Sequence, residues 1–129
     1  MTRSVKDKNY TVLIAEDSVP NQLLLKAYVQ SYGWQAICAN DGYEAVAMFK
    51  KNKFDVCIID VKMPHMNGLD ATKQIRALQK NNIPIIGLFG FKEYIKHEEC
   101  IDAGMNTYML KPVDVDELKK EIMCQLEGS

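Results

Sequence analysis

The sequence has no long hydrophobic run, little net charge of either sign and no cysteine pair at metal-binding spacing. Its 129 residues carry 16 basic and 17 acidic side chains, a formal net charge of −1. No apolar stretch approaches the roughly 20 residues of a membrane-spanning helix, and the polar first nine residues lack the apolar segment of a secretory signal. We therefore expect a cytoplasmic chain that neither inserts into a membrane nor attracts nucleic acid by bulk charge.

The cysteines and histidines indicate neither a disulfide framework nor a metal site of their own. Four cysteines are spread widely along the chain, at positions 38, 57, 100 and 124, and the two histidines are His65 and His97. None of these residues falls at the spacing of a zinc site. We expect four reduced thiols, as is usual in the cytosol, and an exposed loop position for His65.

Short apolar runs alternate with longer amphipathic segments along the whole chain. Predicted strands cover residues 10–15, 34–39, 54–59, 83–89 and 107–110, and predicted helices cover 20–32, 43–51, 69–79, 92–103 and 114–126. Several strands are apolar at consecutive positions, which is typical of a parallel sheet covered on both faces. The pattern predicts one α/β domain, a doubly wound, five-stranded parallel sheet of the flavodoxin-like (βα)5 type.

The first predicted helix carries apolar residues along one face. Leu23, Leu24, Ala27 and Tyr28 recur at helical spacing, so we predict that these side chains face the sheet.

Charged residues follow three of the predicted strands. Glu16 and Asp17 follow the first strand, Asp60 the third and Lys111 the fifth. Ligands of such sheets bind at the carboxyl ends of the strands. Three carboxylates at one edge repel one another unless a cation offsets their charge, and Mg²⁺ prefers oxygen ligands. Because a lysine there can hold an anion and a carboxylate can act as a nucleophile, the set indicates phosphoryl transfer.

Several segments together carry a family resemblance. The sequence resembles the receiver domain of two-component response regulators, most closely the receivers attached to hybrid histidine kinases. The matching segments are 13–21 (LIAEDSVPN), 40–45 (NDGYEA), 60–68 (DVKMPHMNG), 84–88 (PIIGL), 103–108 (AGMNTY) and 111–112 (KP). The resemblance implies a receiver domain over residues 10–126, with a polar flank over 1–9 and a short tail over 127–129.

The resemblance implies a role for each charged residue. Asp60 would accept a phosphoryl group from phosphohistidine. Asp17 and Asp60 would bind Mg²⁺ directly with the main-chain carbonyl of Lys62, and Glu16 would act through a metal-bound water. Lys111 would pair first with Asp60 and then with the phosphoryl group.

The resemblance also implies two switch positions, of which one is atypical. Tyr108 falls at the aromatic position whose rotamer reports phosphorylation. The other position normally holds Thr or Ser but is Phe89 here, and no Ser or Thr occurs from Lys73 to Asn106. The peptide before Pro112 is expected to be cis.

The implied partners follow from the same family. The donor would be a histidine kinase or a histidine phosphotransfer protein, and a downstream partner or a second copy would bind the face of the fourth helix and fifth strand. The chain would then be a stand-alone regulator or the cytosolic part of a larger membrane-bound sensor kinase. We expect it to be a signalling phosphoacceptor and not an enzyme.

Alternative interpretations remain open at this point. The chain could be a pseudo-receiver, a protein-interaction module that signals without phosphorylation, which the residue at position 89 favours. A hydrolase of the aspartyl-phosphate kind usually needs an acid two residues after its nucleophile, where this sequence has Lys62. Asp17 could cap the following helix, and Phe89 could pack under the fourth helix.

Overall fold

Five parallel strands alternate with five helices in the computed structural model, which describes residues 9–78, 82–90 and 97–127. In chain order the elements are β1 (Thr11–Ala15), α1 (Val19–Ser31), β2 (Gln35–Ala39), α2 (Gly42–Lys51), β3 (Val56–Asp60), α3 (Gly68–Leu78), β4 (Ile85–Gly90), α4 (His97–Ala103), β5 (Thr107–Lys111) and α5 (Val115–Leu126). The predicted fold class is confirmed. The predicted ends that fall within the described residues agree to within two residues, whereas residues 92–96 of the predicted fourth helix and residue 79 of the third lie outside them.

The sheet order brings the carboxyl ends of β1, β3 and β5 to one edge, with β1 beside β3 and with β4 between β3 and β5. The order is β2-β1-β3-β4-β5, with every neighbouring pair parallel. Ala15 of β1 pairs with Ile59 of β3, and Gly90 of β4 pairs with Lys111 of β5. The chain reverses its winding between β1 and β3, and such a reversal opens a crevice outside the carboxyl ends of these strands.

The core consists of two apolar layers, one on each face of the sheet. Because successive side chains of a strand point to opposite faces, Leu13 and Ile59 join the layer beneath α2 and α3, while Ile14 and Ile58 join the layer beneath α1 and α5. Strand β3 is buried along its whole length, which explains its nearly continuous apolar sequence.

The predicted buried face of α1 is wrong at Leu23, Leu24 and Ala27, which are exposed, whereas Tyr28 packs half-buried against the core as predicted. Leu25, which is 4% exposed, and Val29 face the sheet, whereas Leu23 is 60% exposed and Leu24 is 45% exposed. Three consecutive leucines, at positions 23–25, allow more than one helical face to be apolar. Packing against the sheet and α5 decides which face of α1 is buried, and the periodicity of one helix carries no information about that packing.

A close backbone approach fixes the loop after β3. Gly68, the first residue of α3, donates its N–H to the carbonyl of Val61 at 2.8 Å. A Cβ atom at position 68 would lie 2.2 Å from the carbonyl oxygen of Asp60. Only glycine allows this contact, so the loop folds tightly back over the end of β3.

We predict that Leu25→Ala and Leu23→Ala differ sharply in their effect on stability. Leu25→Ala should lower the free energy of unfolding by about 2–5 kcal/mol, because it leaves a cavity in the core. Leu23→Ala should change this free energy by less than about 0.5 kcal/mol, since the side chain is exposed. Urea unfolding followed by circular dichroism measures both. Equal losses would contradict the assigned face of α1.

Candidate functional site

The carboxyl edge of the sheet brings three acids and one lysine together. Glu16 and Asp17 follow β1, Asp60 is the last residue of β3, and Lys111 is the last residue of β5. Carboxylate oxygens of the three acids lie within 4.8 Å of one another. The Nζ of Lys111 lies 2.7 Å from Oδ2 of Asp60 and 3.5 Å from Oε1 of Glu16. The residues predicted from separate strand ends therefore form one cluster.

Burial differs among the three acids and shapes their electrostatics. Glu16 and Asp60 are buried, whereas Asp17 is exposed. Burial, together with the adjacent Asp60, raises the pKa of Glu16 to about 8, although Lys111 acts against this rise. Burial also acts against the charge of Lys111, but the contacts with Asp60 and Glu16 outweigh it and raise the pKa of Lys111. The cluster therefore has one cationic side chain, Lys111, for three acidic ones.

The donor set fits a hard divalent cation. Oε2 of Glu16 is buried and makes no hydrogen bond to any residue that the structure describes, which is costly for a carboxylate. A cation among these oxygens would satisfy that atom and offset the repulsion. The backbone N–H of Lys62 donates to Oδ1 of Asp60 at 3.2 Å, and Lys62 lines the same open pocket as the three acids. Lys62 thus borders the cluster, and the part of its main-chain carbonyl as a metal ligand stays a prediction.

Asp17 does not cap α1, so that alternative is wrong. Ser18 is the N-cap residue, and its Oγ accepts from the backbone N–H of Asn21. Both serine and aspartate are good capping types, so residue type alone does not identify the N-cap. Asp17 is left to face the pocket, which Asn21 also lines.

Sequence reasoning missed Gln22, which positions the loop that carries Glu16. Its Nε2 donates to the carbonyl of Glu16 at 2.8 Å and to Oδ1 of Asn40 at 3.0 Å. The side chain therefore joins the loops after β1 and β2. No motif pointed to Gln22, because the contact joins segments that are distant along the chain.

The two predicted switch positions contact each other. Phe89 is buried in the same core layer as Cys100 of α4, as the packing interpretation expects. The ring centroids of Phe89 and Tyr108 are 5.2 Å apart. The Lys111–Pro112 peptide is cis, as the resemblance implies, and His65 is an exposed loop residue, as expected.

The four cysteines of the chain differ in their burial. Cys57 and Cys100 are buried, Cys38 is half-buried and Cys124 is exposed. Within residues 9–78, 82–90 and 97–127, no helix has the length and apolar character needed to cross a membrane.

The fold and site define a doubly wound α/β domain with an acidic, lysine-containing site at its topological switch point. Residues 12–123 match the family model of the response regulator receiver domain. The chain belongs to this family, whose members act in two-component signalling.

Individual relatives support this membership. The chain is 33% identical over 116 residues to the sensor histidine kinase RcsC of Escherichia coli (strain K12), which covers 90% of this chain but 12% of that protein. The chain thus spans a small part of this curated relative.

Two solved structures are similar throughout. The receiver domain of sensor histidine kinase PA1611 from Pseudomonas aeruginosa PAO1, with a magnesium ion in its active site cleft, is 31% identical with a TM-score of 0.85, covering 94% of this chain and 100% of that one. The receiver domain of the Saccharomyces cerevisiae response regulator Ssk1, in a co-crystal structure with the histidine phosphotransfer protein Ypd1, is 28% identical with a TM-score of 0.80, covering 89% of this chain and 87% of the matched one.

We predict that Glu16→Gln stabilises the metal-free protein, and increasingly so with rising pH. The folded protein holds the Glu16 proton more tightly than the unfolded chain does, so ionisation of Glu16 destabilises the fold as the pH rises from 4.5 towards 8. The variant should gain about 1 kcal/mol or more at pH 8 and little at pH 5, since one pKa unit is worth about 1.4 kcal/mol.

Thermal unfolding in EDTA at both pH values measures this gain. The control is Glu98→Gln, which neutralises an exposed acid on α4. A gain that is equal at the two pH values, or equal in the control, would contradict the electrostatic origin of the effect.

Proposed function

We propose that this chain is a phosphoacceptor module of a His-Asp phosphorelay, in which Asp60 takes a phosphoryl group from phosphohistidine. The observation that carries this proposal is the buried Asp60 carboxylate, held at 2.7 Å by Lys111 beside Glu16 and Asp17. A carboxylate that needs only to bond a lysine does not require two further acids beside it. The extra negative charge has a use once a cation and a phosphoryl group share the pocket.

Each residue has a defined part in the transfer. An oxygen of Asp60 attacks the phosphorus as the N–P bond of the donor breaks, and the leaving imidazole keeps the electron pair and takes up a proton. Lys111 then leaves the carboxylate and pairs with a phosphoryl oxygen. Asp17, Asp60 and the Lys62 carbonyl would hold Mg²⁺, with Glu16 bound through water. When bound, Mg²⁺ supplies positive charge to the phosphoryl oxygens; the magnesium-containing PA1611 receiver supports this assignment.

The chain is itself modified in this reaction, one phosphoryl group for each chain, so we propose that it is a phosphoacceptor and not an enzyme. One carboxylate becomes one acyl phosphate, and Lys111 and the metal assist only that transfer and its reversal. The second residue after Asp60 is the exposed Lys62. A lysine at that position supplies no acid for a hydrolase of the aspartyl-phosphate kind.

An exposed apolar surface beside the pocket fits the phosphodonor. Val19, Leu23 and Leu24, which form the α1 patch, are exposed large hydrophobic residues. Leu24 of this patch also lines a groove between α1 and the loop after β5, together with Glu16, Lys111 and Pro112. A contiguous apolar surface on a small domain is typical of an interaction site.

The patch suits a helical protein that carries the phosphohistidine. A partner helix packed on the α1 patch would bring an imidazole to the mouth of the pocket, near Lys111. The similar Ssk1 receiver was crystallised with a histidine phosphotransfer protein, which supports a partner of this class. We propose that this chain, in its native setting, is a receiver of a larger sensor kinase or a regulator that serves one.

The switch that follows phosphorylation is atypical in this proposal. A hydroxyl bonded to a charged phosphoryl oxygen contributes roughly 1.5–3 kcal/mol, and moving a two-state equilibrium from 1:99 to 99:1 takes about 5.5 kcal/mol. Phe89 removes the hydroxyl contribution, so phosphorylation of Asp60 has less free energy with which to move the face of α4 and β5. The same residue favours the second candidate, a pseudo-receiver that binds partners without phosphorylation.

We predict a single Mg²⁺-dependent phosphoryl adduct when the protein is incubated with acetyl phosphate. The adduct should be labile to base, as an acyl phosphate is, and absent in Asp60→Asn. Intact-mass analysis measures it. Asp70→Asn, an exposed acid at the start of α3, is the matched control and should be modified like the wild type. Absence of an adduct with acetyl phosphate and with a competent histidine kinase would favour the pseudo-receiver.

We predict that Leu23→Asp slows phosphorylation by a histidine phosphotransfer protein by about tenfold or more, which corresponds to about 1.4 kcal/mol of lost docking energy. Modification by acetyl phosphate should not change, because the small donor needs no docking surface. Rapid-quench kinetics with both donors separates the two. Leu110→Asp, an exposed apolar residue on β5, is the control. A slower reaction in the control alone would place the donor on the β5 face and contradict the α1 patch.

A further inference from the structure

Tyr108 lies between two other rings at the edge of the sheet. Its ring centroid is 5.2 Å from that of Phe89, with an angle of 34° between the planes, and 5.5 Å from that of His97, with an angle of 61°. The hydroxyl of Tyr108 is 3.3 Å from Nδ1 of His97, which is hydrogen-bonding distance. The three rings form a continuous series from the core to the first residue of α4.

Strand β4, which carries Phe89, also lies beside Tyr108 in the sheet. Gly87 of β4 pairs with Tyr108 in the sheet register. A Cβ atom at position 87 would lie 2.5 Å from the sulfur of Met105 and 3.6 Å from Cβ of Tyr108. Met105 and Phe89, both buried, therefore fill the space over β4. The Tyr108 ring is supported from below by Phe89 and from the α4 side by His97.

We propose that Phe89 and His97 hold Tyr108 in one rotamer, an arrangement that we call the latch. The α4–β5 face is then the same whether or not Asp60 is phosphorylated. We define this face by Ile101, Tyr108 and Leu110, of which Ile101 and Leu110 are exposed apolar residues. His97 is a positioning residue in this arrangement, since it acts on Tyr108 and not on the phosphoryl group. For the phosphorylated state, the inference rests on the proposed function.

The reason is that the latch contacts do not depend on the phosphoryl group. A phosphoryl group at Asp60 shifts an equilibrium only through contacts that differ between the two states. The Phe89 ring offers no hydrogen-bond donor, so it gains nothing from the new anion. The ring contacts of Tyr108 with Phe89 and His97 are apolar or hydrogen-bonded contacts within the domain, and they favour one position in both states.

The latch also ties α4 to the sheet. His97 is the first residue of α4, and Tyr108 belongs to β5. A fixed Tyr108 therefore holds the start of this helix at a fixed place beside the strand. A partner that binds the α4–β5 face would meet the same surface in both states, and its affinity would not report phosphorylation.

The first experiment uses the unphosphorylated protein. Aromatic NMR of the wild type should show one Tyr108 rotamer, with nuclear Overhauser contacts to both Phe89 and His97. His97→Ala should raise the population of other Tyr108 rotamers roughly two- to tenfold, the range expected for loss of one aromatic pair. His97→Phe keeps a ring and should restore the single rotamer. Glu98→Ala, the exposed neighbour on α4, should behave like the wild type.

The second experiment compares phosphorylated proteins, with intact mass confirming the modification. In the wild type, amide shifts should change around residues 16–18 and 60–62 but not at Ile101, Tyr108 and Leu110. The double variant Phe89→Thr/His97→Ala should show changes on the α4–β5 face as well. Thermal unfolding of each variant checks that the fold is intact.

Two results would overturn the latch. One is a Tyr108 rotamer distribution that His97→Ala leaves unchanged. The other is a wild-type α4–β5 face that responds to phosphorylation as strongly as that of the double variant. Failure of every protein to form an adduct would instead refute the proposed phosphoacceptor function, while the first experiment still decides whether the latch exists.

Discussion

The contact between the Lys111 ammonium and the buried Asp60 carboxylate is the interaction on which the site depends. It joins the last residue of β5 to the last residue of β3 across 2.7 Å, and β4 lies between these two strands in the sheet. One lysine faces three carboxylates, so the contact compensates the local charge only in part. Burial and the adjacent Asp60 raise the pKa of Glu16, and the negative charge that Lys111 leaves uncompensated would favour a further cation in the pocket.

The rest of the molecule serves to hold these charges at one edge. The parallel sheet delivers the strand ends to the same side, and two apolar layers fix the strands from above and below. Gln22 joins the loops after β1 and β2, while Gly68 closes the loop after β3. The loops after β1, β2 and β3 are thus held in place by contacts of Gln22 and Gly68.

The sequence predicts most of this arrangement, because strand ends and charges are local features. The five strands, their parallel order and the meeting of Glu16, Asp17, Asp60 and Lys111 all followed from apolar runs and the residues after them. What it could not predict depends on contacts between distant segments. Three consecutive leucines make more than one face of α1 apolar, and the N-cap of this helix is Ser18 and not Asp17. The missing hydroxyl at position 89 was visible in the sequence, but the ring of His97 beside Tyr108 was not.

The close approach at Gly68 has a consequence for how a domain of this fold can diverge. Asp60→Asn is nearly isosteric, so this single change would end the proposed phosphoacceptor chemistry while leaving the apolar packing in place. At position 68, by contrast, any side chain presses on the carbonyl of Asp60 itself, and the site and the fold are disturbed together. A descendant without the proposed chemistry would therefore differ most simply at position 60, while the loop beside that residue stays constrained by folding alone. The shape of this pocket can therefore be retained in relatives that have lost the carboxylate at position 60.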